Sequence, residues 1–199
     1  MNVLAVGAHP DDFEIGCYGV LAHHNLNGDN IFGLTLSMGE NGGDPEERKS
    51  EALKSASVIN MKLEFGHFKD GMIPNDITTI SFIENFIKKN KIDVVYSTSI
   101  NERHQDHRNI GLSVLVAGRT IPNEVYQFET ISTTNDFDPR LFVDITDVVD
   151  IKKKCLAEHK SQEHRTYVEN YDVVNKWRGL KLGYPNRHYE AFEIIKLVK

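Results

Sequence analysis

Val3-Leu4-Ala5-Val6-Gly7-Ala8-His9-Pro10-Asp11-Asp12-Phe13-Glu14 holds the key to the chain. Four apolar residues and a glycine read as a short buried strand, and a polar cluster follows immediately. One histidine and three carboxylates therefore sit at a single strand mouth. Carboxylates this close repel one another unless they are separated, protonated or paired with a cation. A divalent metal would relieve that conflict, since an imidazole nitrogen and a carboxylate oxygen are ordinary zinc ligands. The plainer alternative is a polar loop in which Asp11 or Asp12 merely caps the next helix.

A second cluster has the same setting. Asn101-Glu102-Arg103-His104-Gln105-Asp106-His107 follows the apolar run Ile92–Tyr96 and precedes a helix-like segment. His104, Asp106 and His107 thus also lie beyond the carboxyl end of an expected strand. In parallel α/β sheets, ligands collect outside those strand ends. Two His/Asp clusters in equivalent positions can meet there.

Strands and helices alternate through about residue 120, which argues for a mostly parallel sheet with helices on both faces. The expected strands are 2–7, 31–36, 63–68 and 93–96. The expected helices run from Ile15 to Asn27, from the Asp44 cap to Asn60, from Asn75 or Asp76 to Lys89, and from His107 to Gly118. Strands at 125–128 and 141–145, helices at 147–159 and 166–181, and a closing strand near 192–195 complete the reading. The fold expected is a Rossmann-like three-layer α/β sandwich, one domain over 1–199, with the active site at the C-terminal strand ends.

Composition narrows the function classes. The 199 residues carry 23 basic and 29 acidic side chains, a formal net charge of −6. No dense basic run offers a surface to nucleic acid or an anionic membrane. Lys152-Lys153-Lys154 reads as a solvated helix face. Cys17 and Cys155 lack a CxxC partner and read as small buried residues in a reducing compartment. The first residues lack the features of a signal peptide, and no apolar stretch approaches the ~20 residues that span a bilayer. A cytoplasmic protein is expected.

Familiar alternatives fail on spacing. Gly7 is followed by Ala8-His9-Pro10, not by a G-x-G-x-x-G turn, so a dinucleotide site is not expected. His159 through His164 has one residue too many for H-x-x-E-H. Neither a G-x-S-x-G elbow nor a cysteine nucleophile motif is present.

Ala8-His9-Pro10-Asp11-Asp12-Phe13-Glu14-Ile15-Gly16-Cys17, taken with His104-Gln105-Asp106-His107, resembles the LmbE-like or PIG-L-like family of metal-dependent N-deacetylases. The likeness extends to Gly39-Glu40, to Arg48 and Glu51, to Val143–Thr146 and to Ser161-Gln162. Tyr18 and Gln105 depart from the glycine and proline common in the family. The resemblance implies His9, Asp12 and His107 as metal ligands, zinc being the expected ion, with ferrous iron or another divalent ion also accommodated. It implies Asp11 as general base and His104, if protonated, as donor to the oxyanion or leaving amine. Asp106 would orient a histidine, and Arg48 would contact substrate, the alternative being a surface ion pair with Glu51 or Glu47. Glu14 would support a ligand histidine or the helix dipole. The implied substrate is a small N-acetylglucosamine-type amino sugar or conjugate, with an amidase on another acylamino compound or a non-catalytic binding module as the alternatives. Homo-oligomerisation is compatible with the family.

Overall fold

A computed structural model describes residues 1–198. Seven strands form one sheet in the order β3-β2-β1-β4-β5-β7-β6. β1 (Asn2–Gly7), β2 (Asn30–Ser37), β3 (Lys62–Phe68), β4 (Val94–Thr98) and β5 (Glu124–Phe128) are parallel, and β7 (Tyr189–Leu197) runs antiparallel between β5 and β6 (Leu141–Asp144). β1 sits centrally, entirely buried from Val3 onward. Its alternating side chains feed two cores: Val3 and Ala5 on one face, Leu4 and Val6 on the other. Such two-sided burial is why the strand is a continuous apolar run.

The first helical segment is not continuous. α1 (Asp12–Gly16) and α2 (Tyr18–Leu26) are separated at Cys17, whose φ is −142°. Gly16 lies against the Phe128 ring, where an added Cβ would come within 2.0 Å of a ring carbon. This close approach lets α1 lie tightly against the sheet beside β5. α3 (Pro45–Val58) starts as its sequence suggests, with the Asp44 side chain accepting the Glu47 N–H at 2.9 Å. α4 (Ile77–Asn90) is capped by Asp76, and α5 (Gln105–Ala117) follows β4. α6 (Val149–Leu156) is shorter than expected, whereas α7 (Tyr167–Lys181) matches closely.

Lys152 overturns the reading of a solvated lysine face. It is 2% exposed, and its Nζ donates to Glu190 Oε1 at 2.6 Å and to the Ile15 carbonyl at 2.7 Å. Glu190 also accepts the N–H groups of Gly19 and Val20 at 2.8 and 2.9 Å, so the buried pair pins α6 and β7 to α1 and α2. A lone basic triplet gave no sign that one member turns inward. Cys17 and Cys155 are both buried and free. No helix among the described residues is long and apolar enough to cross a membrane.

Candidate metal and catalytic site

The carboxyl ends of all five parallel strands contribute to one cavity. Its lining includes His9 and Asp11 after β1, Asn41 and Gly42 after β2, Asp70 after β3, His104 and His107 after β4, and Thr130 after β5. The cavity holds about 260 Å³, somewhat below the ~300 Å³ at which pockets for drug-sized ligands begin.

The two sequence clusters meet here. His9 Nδ1 lies 3.1 Å from His107 Nε2, which in turn lies 3.2 Å from Asp12 Oδ1. Each group is oriented from behind. His9 Nε2 faces Asp70 Oδ1 at 2.9 Å and Asp106 Oδ2 at 3.4 Å, which commits that nitrogen to its hydrogen and leaves the Nδ1 lone pair pointing inward. Asp12 Oδ2 accepts the Ala8 and His9 N–H groups at 2.6 and 3.0 Å, leaving Oδ1 for the cluster. Asp106 is itself held by the N–H groups of Gly71 and Ile73.

The donor set fits a divalent cation. A tetrahedral ion with nitrogen ligands at 2.0–2.1 Å separates its ligand atoms by about 3.3–3.4 Å. The observed contacts of 3.1 and 3.2 Å are within a few tenths of that edge. A second grouping, His9 with His104 and Asp106, also lies within ligating range. It is the poorer set, because the His104 Nδ1 accepts the Asp106 N–H and both Asp106 oxygens already accept backbone hydrogens.

The electrostatics agree. Burial acts to lower the His107 pKa, but the Asp12 carboxylate outweighs it and lifts His107 to about 10. Burial likewise opposes charge on His9, yet Asp106 and Asp70 raise it to about 9. Burial would raise Asp12, and the His107 and His9 imidazoles hold it well below the usual carboxylate range instead. A field that keeps protons on two buried imidazoles is one that attracts a metal cation.

Asp11 stands apart from that trio. It is the N-cap residue of α1, yet its carboxylate makes no capping bond, and its backbone is left-handed with φ 113°. Strained conformations of this kind cost about 1–3 kcal/mol and cluster at functional sites. Burial pushes Asp11 up to about 6, with the Arg48 guanidinium pulling the other way.

Arg48 is 4% exposed and lines the cavity. Its Nη1 donates to the Gly39 carbonyl at 2.7 Å, while Nη2 donates to the Pro10 carbonyl at 2.8 Å and Asp11 Oδ2 at 3.2 Å. The alternative reading, a surface ion pair with Glu51, does not hold: Arg48 is buried and pairs with Asp11. Glu51 instead accepts the Ser161 N–H and hydroxyl at 2.8 and 2.7 Å, and Gln162 Nε2 donates to the Gly42 carbonyl at 3.0 Å. Glu14 reaches no ligand histidine either; its Oε1 lies 3.1 Å from Nε2 of the buried His159.

His104 caps α5, its Nδ1 accepting the Asp106 N–H at 3.2 Å. That bond places the ring hydrogen on Nε2. Its ring stacks on His107 with centroids 4.7 Å apart, and its pKa is lowered by burial and by the neighbouring His107 and His9. Burial and the two neighbouring imidazoles thus favour the neutral form of His104 over the protonated one.

Three residues escaped the sequence reading. Asp70 carried no motif and reaches His9 only through the return from β3. Glu102 and Thr130 lie behind His107: its Nδ1 is 3.2 Å from Thr130 Oγ1 and 3.5 Å from Glu102 Oε2. An acidic residue two positions before the histidine cluster was the one available signal for Glu102.

Residues 4–117 match the family model described as PIG-L: GlcNAc-PI de-N-acetylase. The chain is 33% identical over 171 residues to the uncharacterized deacetylase YaiS of Escherichia coli strain K12, covering 80% of this chain and 91% of YaiS. It is 27% identical over 191 residues to the diacetylchitobiose deacetylase of Thermococcus kodakarensis, covering 81% and 70% of the two. Among solved structures, GalB, the 4-carboxy-2-hydroxymuconate hydratase of Pseudomonas putida KT2440, superposes with a TM-score of 0.86 at 22% identity, covering 100% of this chain and 97% of GalB. At that identity the likeness is one of fold alone.

Proposed function

This chain belongs to the PIG-L family, and from that premise we propose that it is a metal-dependent N-deacetylase acting on a small N-acetylglucosamine-type sugar or conjugate. The observation that carries the reading is the convergence of His9 Nδ1, His107 Nε2 and Asp12 Oδ1, with a separate buried carboxylate, Asp11, in the same cavity. Pure metal or sugar binding has no use for that extra, strained carboxylate.

His9, Asp12 and His107 would hold the ion, which zinc suits and ferrous iron also satisfies. When bound, it would supply a water of lowered pKa and a Lewis acid for the amide carbonyl. Asp11, at about 6, is ionised at neutral pH yet more basic than a free carboxylate, which suits proton abstraction from the attacking water. His104 offers its Nε2–H to the carbonyl oxygen as that oxygen gains negative charge. As the C–N bond breaks, the protonated Asp11 returns its proton to the leaving nitrogen, giving acetate and a free amine. A neutral His104 stabilises charge but has no proton to spare, so Asp11 serves in both directions.

The test is acetate release from a panel of N-acetylglucosamine derivatives, run with and without a chelator. Chelator-sensitive release that returns on adding zinc is the expected result. Metal-loaded protein that releases no acetate from any member would overturn the deacetylase reading in favour of another acyl amide.

A further inference from the structure

We propose that Glu102 is a positioning residue that fixes the tautomer of His107 through two hydroxyl relays, and so sets the metal affinity of the site. The inference rests on the reading of His107 as a ligand through Nε2.

The argument is an inventory of hydrogens. The Glu102 carboxylate is 2% exposed and, when ionised, only accepts. Around it stand Thr130, Ser132 and Thr133, each with a single hydroxyl hydrogen. Thr130 Oγ1 donates to Glu102 Oε1 at 2.8 Å, Ser132 Oγ donates to Oε2, and Thr133 Oγ1 donates to Oε1. The Thr130 N–H adds a fourth bond to Oε1 at 3.2 Å.

With their hydrogens given to Glu102, the Thr130 and Ser132 oxygens can only accept from the other side. Both face the same ring atom: His107 Nδ1 lies 3.2 Å from Thr130 Oγ1 and 3.4 Å from Ser132 Oγ. Nδ1 must therefore carry the ring hydrogen. Nε2 is left with its lone pair facing His9 Nδ1 and Asp12 Oδ1. Carboxylates behind ligand histidines commonly act in this way, and their removal costs about 10–100-fold in metal affinity. Here the carboxylate acts largely through hydroxyls contributed by the loop after β5, so one buried charge orders both the ligand and the cavity wall formed by Thr130 and Ser132.

Glu102→Gln reverses the relay. Its amide NH₂ becomes a donor, a facing hydroxyl turns its hydrogen toward His107, and Nδ1 becomes the acceptor. Thr130→Val removes one relay outright, and Thr130→Ser keeps it. The measurement is the zinc dissociation constant of the apo protein, by competition with a chromophoric chelator. It is paired with side-chain ¹⁵N NMR of His107 in the zinc-loaded state. Glu102→Gln and Thr130→Val should each bind zinc about 10–100-fold more weakly. Thr130→Ser should bind it within threefold of the unaltered protein, and the loaded protein should show a hydrogen on Nδ1. Unaltered affinity in both Glu102→Gln and Thr130→Val would overturn the proposal, as would a hydrogen on Nε2. A purely structural role would lower apo melting temperature without moving the dissociation constant, and that result also overturns it. Should Glu102→Gln fail to fold, the Thr130 pair decides alone. Absence of zinc binding by the unaltered protein would instead strike the metal-site reading itself.

Discussion

The Arg48 guanidinium lies 3.2 Å from the Asp11 carboxylate, and the nitrogen that makes this contact also donates to the Pro10 carbonyl. One side chain thus holds both the carboxylate and the backbone just before its left-handed turn. Its other Nη reaches the Gly39 carbonyl, joining the loops after β1 and β2. An arginine between a glycine-rich loop and the cavity invites a substrate-binding role, but its Nη2 is engaged with the proposed base and the Pro10 carbonyl, and its Nη1 with the Gly39 carbonyl.

Arg48→Ala should therefore lower kcat by about 10²-fold with little change in KM, the scale expected when a reacting group loses its position. The pH profile should move as well. Burial raises the Asp11 pKa and the Arg48 charge lowers it, so removing that charge raises it further. As the proposed base Asp11 would act deprotonated, so the acid limb of kcat/KM should shift to higher pH. A raised KM at unchanged kcat would return Arg48 to substrate binding.

Asp11→Asn separates chemistry from metal holding. None of the three convergent donor atoms belongs to Asp11. The variant should keep stoichiometric zinc by metal analysis and lose about 10²–10⁴-fold in kcat, the usual range for a general base. Turnover at the original rate would remove Asp11 from the role.

The N-terminal half of the fold was legible because β1, β2 and β4 are buried on both faces and read as largely apolar runs, with caps such as Asp44 and Asp76 marking helix starts. The expected helix from Ile15 to Asn27 missed its break at Cys17, and the Phe128 ring that lies against Gly16 beside that break is distant in sequence. The paired clusters were readable from strand ends alone. Asp70, Glu102 and Thr130 were not, because their significance depends on loops that meet only after β3, β4 and β5 are aligned. The inward turn of Lys152 was hidden for the same reason, its partner Glu190 lying 38 residues away.

Metal removal should be visible in stability. A ligand that binds only the folded state contributes about 4 kcal/mol at a thousandfold excess over its dissociation constant. Chelation should lower Tm in the unaltered protein by calorimetry. His107→Ala, which removes one of the three convergent donors, should purify without stoichiometric zinc and show no such shift. A His107→Ala protein that keeps its zinc would remove His107 from the ligand set.

Lys152→Met tests the staple beneath the site. The substitution leaves Glu190 as an uncompensated buried carboxylate, and breaking one side of such a pair costs about 3–5 kcal/mol. The Gly19 and Val20 N–H groups still reach Glu190, so the loss should fall toward the lower end. Replacing both members, Lys152→Met with Glu190→Gln, should recover part of it, since the buried charge then disappears. Urea denaturation of the two variants beside the unaltered protein measures the difference. Because Lys152 Nζ also holds the Ile15 carbonyl, the single variant should loosen α1, the helix that begins at Asp12. Stability within about 0.5 kcal/mol of the unaltered protein, the range of ordinary surface substitutions, would mean that Lys152 is solvated after all.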